Sequence, residues 1–89
     1  MQQVCLVTGA TSGIGRATAH IMAKRGYTVV VVGRSNQKCM TTVAAIKNKT
    51  GNRSVDYLVA DLSLQKDIHT LVDRFNNKYT RLDVLINNV

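Results

Sequence analysis

The chain has 89 residues, twelve Lys or Arg against five Asp or Glu, and a formal net charge of +7. Its length allows one domain or part of one, and 45% hydrophobic with 19% charged residues is a globular rather than a disordered composition. The longest purely apolar run, Val29 to Val32, is far short of the ~20 residues that a membrane-spanning helix needs. MQQVCLV at the N-terminus shows neither a cationic region nor an apolar stretch of signal-peptide length, so the chain is expected to start at its first strand and to be cytoplasmic. Cys5 and Cys39 lack CxxC or His partners and read as reduced, core-filling thiols. His20 and His69 have no second ligand-type residue at helical spacing, so no metal site is expected. The charge invites a nucleic-acid reading, but Lys24, Arg25, Lys47, Lys49 and Lys78 fall near the predicted C-terminal ends of helices, where cations complement the dipole. With one Phe, three Tyr, no Trp and no basic run of five, there is little to read or stack bases, and no nucleic-acid partner is expected.

The elements alternate along the chain. Gln3 to Thr8 reads as a strand, and a helix follows from about Ile14 to Arg25, with Ile14, Ala17, Ile21 and Met22 as its apolar stripe and Gly26 as its stop. Tyr27 to Val32 is a continuous β-branched run, the pattern of a strand buried on both faces of a parallel sheet. Ser35 is placed to N-cap the next helix, which carries Cys39, Val43 and Ile46 on one face and ends near Thr50 and Gly51. Ser54 to Ala60 reads as the third strand. Ser63 is expected to cap a third helix with the stripe Ile68, Leu71, Val72, Phe75 and Tyr79, and Val84 to Asn87 is the fourth strand. The order βαβαβαβ without a linker predicts an α/β fold, a doubly wound parallel sheet with right-handed crossovers over residues 1–89.

Between the first strand and first helix, VCLVTGATSGIG places glycines at 9, 13 and 15. A pyrophosphate needs backbone N–H groups within reach, and a helix N-terminus supplies them with a favourable dipole. Gly9 turns the chain off the strand, Gly13 removes a Cβ where a ligand would pass, and Gly15 lets the helix lie close to the sheet. Thr11 and Ser12 add hydroxyl donors. The spacing is GxxxGxG rather than the GxGxxG of the dinucleotide fingerprint, and an ordinary glycine-rich turn is the alternative for the motif taken alone. TGATSGIG, however, resembles the TGxxxGIG signature of the short-chain dehydrogenase/reductase family. Three further matches follow in that family's order: Arg34 closing VVVVGR, Asp61 closing VDYLVAD, and Asn87 with Asn88 closing LDVLINN.

The resemblance implies the N-terminal part of a Rossmann-type domain and a set of cofactor contacts: the loop residues Gly9, Thr11, Ser12, Gly13, Ile14 and Gly15, then Arg34, Asp61, Leu62 and Asn88. Arg34 lies nineteen residues after Gly15, about where a NAD-preferring fold places an acid on the ribose 2′-OH, and no acid precedes Asp56. A guanidinium there suits a 2′-phosphate, so NADP is the expected cofactor over NAD; an exposed turn arginine is the alternative. Asp61 either leads into the third helix by bonding its free N–H groups or, by resemblance, meets the adenine amino group with Leu62 packed beside the ring. Asn87 and Asn88 resemble the start of the family's NNAG motif, which steadies the central strands and approaches the ribose. Position 89 is Val where the family has Ala, a side chain expected to narrow that pocket.

The family's proton-relay pair is Tyr with Lys four residues later. Val31, Asp61 and Asp83 stand four residues after Tyr27, Tyr57 and Tyr79, so no catalytic residue is assigned. The resemblance implies an NADP(H)-dependent oxidoreductase acting on a small-molecule carbonyl/alcohol pair, its complete form expected as a homo-oligomer, with GR and ADLS closest to a retinol-dehydrogenase-like branch. The alternative is a truncated, non-catalytic product that binds nucleotide weakly or not at all. A methyltransferase of similar topology also wants an acid after the second strand, which Arg34 disfavours.

Overall fold

Alternation of apolar side chains decides how this chain layers. The structure, a computed structural model, describes residues 3–88. Its elements are β1 (Val4–Thr8), α1 (Gly13–Lys24), β2 (Thr28–Gly33), α2 (Asn36–Thr50), β3 (Val55–Val59), α3 (Gln65–Lys78) and β4 (Val84–Asn87). The strands form one parallel sheet in the order β3-β2-β1-β4, with Leu6 opposite Val30 on one side and Leu85 on the other. The expected α/β architecture is present, and boundaries move by a residue: α1 starts at Gly13, and Tyr27 lies outside β2.

Because successive strand residues point to opposite faces, the sheet divides its apolar set in two. Cys5, Val7, Val29, Val31 and Val55 face α1 and α2 and pack with Ala19, Ala23, Cys39, Val43 and Ile46. Val4, Leu6, Val30 and Val32 face α3 and pack with Ala60, Leu71 and Phe75. Both cysteines are buried free thiols, and burial pushes Cys5 up to about 11, so neither is a reactive thiolate. Among the described residues no group of His, Cys, Asp and Glu could hold a metal ion, and no helix is long and apolar enough to cross a membrane.

Three helix expectations need correction. The buried face of α1 is Gly15, Ala19 and Ala23, while Ile14 is 79% and Ile21 54% exposed. The helix lies so close to the sheet that only small residues fit beneath it, and of the expected stripe only Met22 packs partly against the core. In α3, Leu71 and Phe75 are buried and Tyr79 is half-buried, but Ile68 and Val72 point outward, since among the described residues no second helix covers that face. Ser63 does not cap α3: its N–H and hydroxyl both donate to Asp61 Oδ1, and Leu64 occupies the cap position. The Asp67 carboxylate in the first turn instead accepts from the Asp61 N–H at 2.9 Å. Ser35 does cap α2, its hydroxyl accepting from the Lys38 N–H, and Gly51 ends that helix at φ +74°. The pocket-narrowing expected of Val89 lies outside the described residues.

Candidate functional site

Since all four strands are parallel, their C-terminal ends share one edge of the sheet, and the loops there can converge. β1 delivers Gly9, which turns at φ +59°, and the Ala10 N–H donates to the Val32 carbonyl, fastening the loop to the end of β2. Ser12 enters α1 in an extended conformation and its side chain makes no cap hydrogen bond. The Arg16 N–H reaches the Ser12 carbonyl, and the N–H groups of the preceding turn have no helical acceptor. Gly13 stands at φ +59°, and a Cβ built there would meet nothing within 4 Å. The mouth of the helix is therefore open, uncapped and lined by main-chain donors.

Gly15 has the opposite surroundings. A Cβ there would lie 2.3 Å from the Gly9 carbonyl oxygen and 2.6 Å from Asn88 Nδ2. Asn88 holds this contact: its side-chain amide donates to the Gly9 carbonyl at 3.2 Å, and its N–H donates to Thr8 Oγ1 at 3.0 Å. Thr8 in turn donates to Asn87 Oδ1, so one buried hydroxyl ties the ends of β1 and β4 together. The signal for Thr8 in the sequence is its position directly before the first glycine of TGATSGIG. Thr11 leans on β2, with its methyl carbon 2.8 Å from where a Cβ of Gly33 would be.

Two charged side chains stand at neighbouring strand ends. Arg34 follows β2, is exposed, and takes part in neither of the ion pairs found among the described residues. Asp61 follows β3; the Ser63 hydroxyl and then the Ser63 N–H hold its carboxyl below the usual value, and the Arg34 charge adds to this. Gly9, Gly15 and Asn88 are thus in contact, and Arg34 and Asp61 share the edge. Leu62 is half-buried and packs toward the α3 side of the sheet.

Two of the tyrosines have partners of their own. Tyr57 donates to Asn36 Oδ1, and Tyr79, at the opposite edge, donates to Asp56 and is pushed up to about 12 by burial and by that carboxylate. The arrangement at the C-terminal edge can take an anion: open main-chain donors at a helix N-terminus flanked by the exposed Arg34 guanidinium.

Comparison with known proteins agrees. The short chain dehydrogenase family model matches residues 3–89. The chain is 41% identical over 87 residues to a 3beta-hydroxysteroid dehydrogenase of Mediterraneibacter gnavus, covering 98% of this chain and 31% of that protein. It is 40% identical over 86 residues to the polyprenol dehydrogenase of Homo sapiens, covering 97% of this chain and 26% of that one. Among solved structures, a short chain dehydrogenase from Escherichia coli CFT073 complexed with NADPH superposes with a TM-score of 0.89 at 35% identity, over 98% of this chain and 37% of that one. An actinorhodin polyketide ketoreductase with NADPH gives 0.88 at 36% identity, over 98% and 33%. The chain spans 26% to 31% of the length of the two curated relatives.

Proposed function

The chain belongs to the short-chain dehydrogenase family, and on that premise we propose that it is the N-terminal, cofactor-binding part of an NADP(H)-dependent oxidoreductase acting on a carbonyl/alcohol pair. The observation that carries this reading is Arg34: an exposed guanidinium outside any ion pair among the described residues, at the end of β2, beside an open helix mouth.

Each residue has a role in the proposal. Gly9 shapes the turn, Thr11, Ser12, Gly13 and Ile14 present donors to the pyrophosphate, and Gly15 permits the close helix–sheet contact. Arg34 binds the 2′-phosphate through two N–H groups. Ser63 engages only Oδ1 of Asp61 among the described residues, which leaves Oδ2 to accept from the adenine amino group, with Leu62 beside the ring. Asn88 keeps the loop in register through Gly9 and approaches the ribose. When bound, the nicotinamide supplies or accepts hydride. Tyr79 sits at the wrong edge and holds its proton too tightly to relay one near neutral pH, so the proton donor is proposed to come from outside these residues. The relatives' names, a hydroxysteroid and a polyprenol dehydrogenase, support an alcohol or carbonyl substrate. The proposed setting is the cytoplasm, in a homo-oligomer.

The test is Arg34→Asp in a polypeptide carrying this chain, titrated with both cofactors. The expected loss for NADPH is roughly 1.5–3 kcal/mol, about tenfold or more in affinity, with NADH losing far less or gaining. Equal losses would show that Arg34 does not read the 2′-phosphate.

A further inference from the structure

The edge of the sheet opposite the helix mouth carries most of the excess charge. Lys24, Arg25, Lys47, Lys49, Arg53, Lys78 and Arg81 stand where α1, α2 and α3 end and β2, β3 and β4 begin, against two acids, Asp56 and Asp83. That leaves this pole with +5 of the chain's net +7. Both acids are already committed, Asp56 to Lys78 and Asp83 to Arg81. The fold draws the cations onto one surface. Asn52 donates to the Ala23 and Tyr27 carbonyls at 2.9 and 2.8 Å, clasping the loop that bears Arg53 against the end of α1 that bears Lys24 and Arg25. Lys47, Arg53 and Lys78 border a single depression. Lys49 is near enough to the α1 side chain His20 to help lower its proton affinity, after burial.

Dipole complementarity explains a cation in each last turn, but Arg53 lies outside any helix. Apolar side chains are set among the cations. Ile21, 54% exposed, and the half-buried Tyr27 stand on the α1/α2 side, and Leu82, 44% exposed, and the half-buried Tyr79 on the α3 side. Long cationic arms, exposed aliphatics and half-buried aromatics gathered at one edge of the sheet match the boundary between lipid headgroups and acyl chains, where each kind of group is satisfied. A phosphodiester backbone rewards the cations alone.

We infer that the N-terminal edge of the sheet is a docking surface for an anionic phospholipid membrane, which would leave the helix mouth at the far edge facing the solvent. The contact is peripheral and electrostatic, so it must weaken with salt.

A polypeptide carrying this chain is mixed with vesicles of phosphatidylcholine alone or containing phosphatidylserine, and partitioning is read by sedimentation. Binding is expected only to the phosphatidylserine vesicles at about 0.1 M salt, and it is expected to fall steeply as salt rises. Each basic residue near such a surface contributes about fivefold in partitioning, so K47Q/K49Q is expected to lose about 25-fold. K38Q/K66Q, which removes the same charge from the first turns of α2 and α3 at the other edge, is expected to lose less than about threefold. The wild-type lipid and salt dependence needs no variant, and a variant that unfolds is recognised by its far-UV circular dichroism. Equal losses from the two double variants, equal binding to both vesicle types, or tighter binding to a duplex oligonucleotide than to phosphatidylserine vesicles would each overturn the inference.

Discussion

On the α1/α2 face of the sheet, Cys5, Val7, Val29, Val31, Cys39 and Ile46 are fully buried, whereas on the α3 face Leu85 is 59% and Val72 50% exposed. The same strands build both faces, so the contrast comes from connectivity. Two right-handed crossovers run outward from β1 to β2 to β3 and lay α1 and α2 side by side. The third returns past β1 to β4 and puts α3 alone on the other face, where Leu6, Leu71, Val72, Leu82 and Leu85 border an open apolar groove. Among the described residues one face of the sheet is covered by two helices and the other by α3 alone.

The largest expected effect tests the face covered by two helices. Ile46→Ala is expected to cost about 2–5 kcal/mol, because a fully buried side chain leaves a cavity. Val72→Ala on the open face is expected to stay within about 0.5 kcal/mol. Chemical denaturation of both variants measures the contrast, and comparable losses would mean that the α3 face is closed in solution. Gly15→Ala follows: a methyl group 2.3 Å from the Gly9 oxygen is expected to cost about 1–3 kcal/mol and to loosen the loop. Melting temperature together with NADPH affinity checks this, and an unchanged melt would refute the close contact.

Smaller effects separate local from long-range design. Ser35→Ala is expected to lose about 1 kcal/mol with its cap bond to Lys38, and Ser63→Ala less, since Ser63 bonds Asp61 rather than a helix amide. Thermal melts of the pair decide between them. Asp56 has its own pH signature. Burial would raise its carboxyl, but the Lys78 hydrogen bond, the Tyr57 N–H, the Lys78 charge and the Tyr79 hydroxyl outweigh burial and hold it below 3.8. A depressed folded-state value means stabilisation present above the ordinary carboxyl range and lost as pH falls through the folded value. Asp56→Asn is therefore expected to cost at most about 1 kcal/mol near pH 7, given the exposed Lys78 partner, and to converge with the parent in strong acid. A gap that persists in acid would assign the loss to packing. Smallest in stability is Leu85→Lys, expected within about 0.5 kcal/mol. It is nevertheless expected to reduce self-association at the open β4 edge, as measured by light scattering; unchanged scattering would clear that face as the cause.

Whatever depends on neighbours along the chain is legible in the residues alone. The β-branched run 28–32 had to be a strand buried on both sides, Ser35 a cap, Gly51 a stop, and the glycines of 9–15 an open helix entrance, because each follows from local conformational preference. Tertiary structure decided which face of each helix was wanted. Ile14 and Ile21 carry the stronger apolar signal, yet Ala19 and Ala23 are buried, because the Gly15–Gly9 contact brings α1 too close to the sheet for larger side chains. Ser63 looked like a cap until Asp61, held by Arg34's neighbourhood and by Asp67, took its hydroxyl. The link from Asn88 through Thr8 to Gly9 joins residues about eighty positions apart, and the gathering of helix ends into one basic pole depends on strand order. Periodicity reports which residues are apolar, but how near two elements can approach, and what is left uncovered, is fixed only when the strands are placed side by side.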